Sequence, residues 1–173
     1  IISIVALNLF VSSGNAAEWV RRDEFCVALL EARGFPTKGL EKPAAAYKKA
    51  IDQDLVPALG RPDGFLTRRE ILRFAIQSLH LNVEANLLQS HPLPFKDIAQ
   101  LSRFECGCLA VALSLDPQLV HPEKKFNPDR KVSSGEAKFW LQAIEKASKG
   151  MTLHAVLEEE KGLSFIVHRE NAL

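Results

Sequence analysis

The sequence predicts a mainly α-helical fold made of tandem helical repeats. Three observations lead there. A helix-launching string recurs three times along the 173 residues. The same apolar face follows each copy. Similar Pro-Asp turns precede two of the copies, at Arg61-Pro62-Asp63-Gly64 and within Phe126-Asn127-Pro128-Asp129-Arg130-Lys131.

The central copy is Leu66-Thr67-Arg68-Arg69-Glu70. Thr67 and Glu70 have the spacing of a capping box: the hydroxyl accepts from the N–H three residues on, and the carboxylate reaches back to the N–H of the cap. Leu66 and Ile71 fall at the two positions of a hydrophobic staple. Val132-Ser133-Ser134-Gly135-Glu136 repeats the device, with Ser133 as cap, Glu136 as its partner and Ala137 at the staple position. Val20-Arg21-Arg22-Asp23-Glu24-Phe25 keeps the staple residue and Glu24, but Arg21 is a poor cap. Four residues past the glutamates stand Ala28, Phe74 and Trp140; five past stand Leu29, Ala75 and Leu141. That is one helix face used three times. The glutamates are 46 residues apart (24 to 70) and then 66 apart (70 to 136), a repeat of irregular period.

The elements follow in order. Ile1 to Val11 is almost wholly apolar, and Ser12 to Ala17 is small and polar. Residues 1–17 are expected to be the remainder of an export signal, with Ala16 or Ala17 the last residue removed. A buried strand or helix of the mature domain is the alternative. Eleven apolar residues are too few to cross a bilayer comfortably. Trp19 to Arg33 reads as the first helix, stopped by Gly34 and Pro36. Pro43 opens a second helix to about Leu55, with Tyr47 and Ile51 four apart. The capped central helix runs from Arg68 to about His80. Asn82 to Pro94 reads as an irregular connection in which Leu87 and Leu88 form a short helical turn. A helix from about Leu101 to Leu113 is weakened by Gly107. Ser134 to Lys149 is the third capped helix, closed by Gly150. In 151–173 the period changes. Two apolar-rich runs about Glu159-Glu160-Lys161-Gly162 read as a β-hairpin or the start of a following segment.

Composition excludes several classes. Hydrophobic residues at 47% and charged residues at 25% are ordinary for a globular chain. A net charge of +1 argues against a nucleic-acid binder, including a helix-turn-helix reading of the short arginine-bearing helices. Cys26, Cys106 and Cys108 are an odd number, so no disulfide framework is expected. Cys106 and Cys108 have no His or further Cys at metal spacing and read as small buried residues, with a zinc or redox pair as the alternative. The five histidines are scattered, and no phosphate loop, nucleophile elbow or His-Glu-x-x-His string occurs. No enzyme, metal or cofactor is expected.

The strings, the turn and Phe95-Lys96-Asp97-Ile98 together resemble the S-layer homology (SLH) repeat. A unit of that family opens with aromatic-x-Asp, passes one helix and a Pro-containing turn, and starts a second helix at Thr-Arg-Ala-Glu. Thr67-Arg68-Arg69-Glu70 matches with Arg69 in the Ala place. Arg21-Arg22-Asp23-Glu24 matches at Arg22 and Glu24, and Ser133-Ser134-Gly135-Glu136 has Ser134 where the Arg belongs. The likeness covers residues 18–150, in units of about 18–34, 35–81 and 94–150. The first unit has only its final helix.

The resemblance implies a three-pronged, mainly α bundle with the β-hairpin after it. It implies a non-enzymatic anchor that holds an exported protein to the bacterial surface, cell wall or S-layer (the periplasmic face of the outer envelope in a Gram-negative cell). The partner it implies is secondary cell-wall polysaccharide or peptidoglycan-linked glycan, often carrying a pyruvate ketal. The Arg of the string is a recurring ligand residue in that family, in grooves between neighbouring units. Arg forks suit carboxylates, and helix N-termini offer N–H groups to the same anion. Arg68 is the foremost glycan candidate here, followed by Arg22, Asp97 and Trp19, with Phe65 and Tyr47 as further flat faces. Thr67, Glu70, Ser133, Glu136 and Glu24 are read first as structural caps. Ser134 in the Arg place suggests a degenerate third groove. The competing expectation is a helical scaffold for other envelope proteins or for oligomerisation, in which the glycan sites have decayed.

Overall fold

The computed structural model describes residues 19–40, 43–116, 125–150, 153–158 and 162–167. The expected export signal at 1–17 lies outside the described residues. The described chain is mainly helical. Its helices are α1 (Arg22–Ala32), α2 (Pro43–Asp52), α3 (Arg68–Ser78), α4 (Asn82–Leu87), α5 (Arg103–Leu115) and α6 (Ser134–Gly150). Two strands, β1 (Leu153–Glu158) and β2 (Gly162–Val167), pair antiparallel with Leu153 opposite Val167, and β2 runs against α5.

The recurrent face predicts the core. Phe25, Ala28, Leu29, Ile71, Phe74, Ala75, Ala137, Trp140 and Leu141 are all buried. So are Val20, Leu66 and Val132, the apolar residues just ahead of the strings. Each large aliphatic or aromatic side chain so placed contributes about 1.5–3 kcal/mol. Aromatic rings pack against one another within this core. Phe74 lies 6.1 Å from Phe25 and 6.4 Å from Tyr47, and Phe95 lies 6.2 Å from Phe126.

The three strings meet around one axis. Leu66 N donates to Val20 O at 2.8 Å, Val132 N to Leu66 O at 2.9 Å, and Val20 N to Val132 O at 3.0 Å. This cycle of backbone hydrogen bonds pairs three extended segments that are far apart in sequence. It also corrects the start of α1. Trp19 to Arg21 is extended, bridging Ser133 and Phe65, and the helix begins only at Arg22. Val20 gives both its N–H and its carbonyl to the ring and Arg21 N–H goes to Glu24, so the ladder starts at the Arg21 carbonyl, which accepts from Phe25 N–H at 3.1 Å.

α1 packs on α2, the helix that follows it, whereas α3 packs chiefly on α5, past the short α4. α6 touches α1 and α3. α4 was expected to be irregular, but it forms a six-residue helix against α5. Gly107 is the reason it comes so near. A Cβ at that position would lie 1.8 Å from the Ala85 carbonyl oxygen. Gly107 therefore does not break α5; it admits the α4 backbone.

The caps are partly as expected. Glu70 Oε2 accepts Thr67 N–H at 2.9 Å, and Glu24 Oε2 accepts Arg21 N–H at 2.9 Å. At the third string the hydroxyl half is present, with Glu136 N donating to Ser133 Oγ at 3.3 Å. A complete reciprocal box stands at Ser102 and Glu105, at 3.2 and 2.7 Å, and sets the start of α5. The Ser102-Arg103-Phe104-Glu105 spelling carried that signal.

Candidate functional site

The clefts between units are built by the strings. In the first, the α1 N-terminus meets the turn before α3. Arg22 N–H donates to Gly64 O at 3.0 Å and Asp23 N–H to Pro62 O at 3.0 Å. The second cleft repeats this one unit on. Arg68 N–H donates to Arg130 O at 3.0 Å and Arg69 N–H to Pro128 O at 2.9 Å. The first two N–H groups of α1 and of α3 are thus taken by backbone carbonyls of the neighbouring turn. The expectation that they serve a bound anion is corrected at those donors, because the neighbouring turn docks on them first.

The two string arginines occupy equivalent places. Arg22 Nη2 lies 2.6 Å from Glu70 Oε1, with Nη1 on the Arg61 carbonyl at 3.0 Å. Arg68 Nε lies 2.6 Å from Glu136 Oε1, with Nη1 on the Phe126 carbonyl at 2.7 Å. Both pairs are largely shielded: the side chains of Arg68 and Glu136 are 8% and 14% exposed. Each Arg reaches the Glu of the next string, so Glu70 and Glu136 bridge units as well as starting helices. Gly60 and Gly64 make room for the Arg22 guanidinium. A Cβ on Gly64 would lie 1.9 Å from Nη1, and Gly60 adopts φ +61° beneath Cζ. At the third string Ser134 stands in the Arg place. Glu24 is more open, 47% exposed, and its nearby cation is Arg21, with Nε at 3.4 Å.

Loop clamps hold the turns. Asp97 Oδ1 accepts Phe126 N–H at 2.8 Å and Oδ2 accepts Asn127 N–H at 2.7 Å. Burial pushes the Asp97 carboxyl up, but the N–H groups of Asn127, Phe126 and Asp97 itself, with the charge of Lys125, outweigh it and leave the pKa below the ordinary value of 3.8. The unit before has no aromatic-x-Asp, and Tyr47 does the same work. Its hydroxyl accepts Leu59 N–H at 2.6 Å and donates to Leu59 O at 2.8 Å. Tyr47 is buried at 4% exposure, which removes it as an exposed sugar platform. Trp19 and Phe65 remain exposed, at 39% and 43%, on the ring.

Beside the second cleft lies an open depression of about 520 Å³. Asp97, Gln100, Lys125, Asn127, Pro128, Asp129 and Arg130 line it. Asp97 is engaged by the loop, and Asp129 Oδ1 lies 3.0 Å from Arg69 Nε. Arg130 Nη2 donates to Glu136 Oε2 at 2.7 Å while the side chain stays 47% exposed. Lys125 is exposed. The depression thus offers an incoming anion Lys125 and the outer edge of Arg130, beside the Asp129 carboxylate, which is 64% exposed. Sequence reasoning missed both, because their place is set by a turn anchored from Asp97, about 30 residues earlier.

Among the described residues no cluster of three or more His, Cys, Asp or Glu could hold a metal ion. Cys26 and Cys108 are buried and Cys106 is half-buried; all three are free thiols. Burial pushes the Cys108 thiol up to about 12. Among the described residues no helix is long and apolar enough to cross a membrane. No family model matches the chain, and no curated protein matches it.

Proposed function

We propose that this chain anchors an exported protein to the bacterial envelope by binding anionic, pyruvylated wall polysaccharide, in the manner of SLH repeats. On this reading the units form a three-pronged bundle around the ring, with a C-terminal β-hairpin after it. The observation that carries the reading is the open depression beside a cleft between repeated units, where Lys125 and Arg130 face outward and both lining carboxylates are already engaged. A pyruvyl carboxylate suits an Arg edge, which gives parallel charge-assisted hydrogen bonds. Gln100 and Asn127 supply amides for sugar hydroxyls. In this reading Arg22 and Arg68 shape the clefts and Asp97 fixes the turn that carries Arg130.

The test is co-sedimentation with purified wall polysaccharide, before and after mild acid removes its pyruvyl groups. Binding is expected to need those groups and to fall in a folded Lys125→Ala/Arg130→Ala variant. Equal sedimentation with the stripped polymer would reject the proposal. One observation favours the alternative scaffold reading: both string arginines are spent inside the chain. A pull-down that retains envelope proteins and no wall glycan would establish that reading instead.

A further inference from the structure

The ring has an outer face that the cleft reading does not use. Neighbouring residues of an extended segment point to opposite sides. Val20, Leu66 and Val132 point into the core, so Trp19, Phe65 and Lys131 stand on the other side. Lys131 confirms the shared face, its Nζ lying 4.4 Å from the Phe65 ring centroid. Two of these three equivalent places hold aromatics left in contact with water. Of the two cations in the ring segments, Arg21 is held by Asp23 at 3.0 Å and lies 3.4 Å from Glu24, so the cation this face offers is the Lys131 ammonium over Phe65. A flat indole beside a cation pinned on a second ring fits a ligand with one flat apolar face and one negative charge.

We infer that this face is a second carbohydrate contact, specific for an acidic hexopyranose. Trp19 supplies the stacking plane for the sugar ring. Phe65 holds the Lys131 ammonium by a cation–π contact, and the ammonium pairs with the sugar carboxylate. The inference rests on the glycan-anchor reading for its biological setting, but it concerns different residues. The Lys131 ammonium selects an acidic sugar over a neutral one, and the small platform suits a single ring of a chain whose neighbours lie elsewhere.

The probe is methyl β-D-glucuronide, with methyl β-D-glucoside as the neutral control at matched ionic strength. The chain has two tryptophans, and Trp140 is buried at 2% exposure, so a ligand-dependent emission change reports Trp19. A saturable change with glucuronide is expected, about tenfold tighter than with glucoside. Lys131→Met should erase that tenfold preference, and Trp19→Phe should remove the signal while weak binding persists by saturation-transfer NMR. No saturable response, or a preference unchanged in Lys131→Met, overturns the inference. So does a Trp19 blue shift with phosphatidylglycerol vesicles and none with glucuronide, which would assign the face to a membrane surface. The two readings fail separately. Unchanged wall sedimentation in Trp19→Ala and Lys131→Met, with loss in Lys125→Ala/Arg130→Ala, rejects this face and keeps the anchor. Glucuronide binding by a chain that sediments with no wall glycan does the reverse.

Discussion

Replacing Arg68 by Ala tests whether the string arginine is a strut between units. The guanidinium makes two short contacts, 2.6 Å to Glu136 and 2.7 Å to the Phe126 carbonyl, with the side chain 8% exposed. Removing one member of a buried, hydrogen-bonded ion pair costs about 3–5 kcal/mol, mainly because its partner is left charged. Here Arg130 still reaches Glu136 at 2.7 Å, which offsets part of that penalty. The expected loss is about 3 kcal/mol. For a chain of this size that lowers Tm by about 6–12 °C. The assay is urea unfolding followed by circular dichroism, with Glu136→Gln and the double variant completing a cycle; the coupling should be about 2 kcal/mol. Arg61→Ala is the control. Its pair with Asp63 is 84% and 56% exposed, and the change should stay within about 0.5 kcal/mol. A loss below about 1 kcal/mol for Arg68→Ala, or no coupling to Glu136, would refute the strut. Arg68 would then be a surface group available to ligand.

Four further outcomes are expected. The Asp97 carboxyl titrates lower when folded than unfolded, so its contribution is present above the unfolded value of 3.8 and is lost as pH falls below it through the folded value. Acid unfolding of Asp97→Asn should lack that component, and the variant should lose about 1–2 kcal/mol at neutral pH. Gly107→Ala should cost more than about 2 kcal/mol, because its Cβ meets the Ala85 backbone, whereas Gly135→Ala, with nothing within 4 Å, should gain about 0.5 kcal/mol; thermal melts of both check this. Ser134→Arg should raise Tm by about 1–2 °C by pairing with the exposed Glu24, and the gain should vanish in a Glu24→Gln background. Iodoacetamide at mildly alkaline pH should label Cys106 slowly and leave buried Cys26 and Cys108 unlabelled until the chain unfolds, as mass spectrometry would record.

The sequence by itself determined the local events. Cap spacing placed the starts of α3 and α6, and the recurrent apolar positions identified the buried face, because both depend on neighbours within one or two helical turns. It also singled out Arg22, Arg68 and Asp97 as positions with a task. What those side chains touch was decided by tertiary structure alone. Arg22 and Glu70 are 48 residues apart, and Arg68 and Glu136 are 68 apart. No periodicity encodes such a meeting when the repeat is irregular. The start of α1 was displaced for the same reason, since Trp19 to Arg21 form ring bonds with segments 65–67 and 131–133. The outward-facing cations Lys125 and Arg130 were hidden because a turn's orientation depends on what clamps it. Here the clamp is a carboxylate about 30 residues upstream, and in the preceding unit it is the hydroxyl of Tyr47. Capping and burial are short-range preferences that a single stretch of chain carries within itself. Charge pairing across units is a property of the closed ring, and it exists only once the three strings have come together.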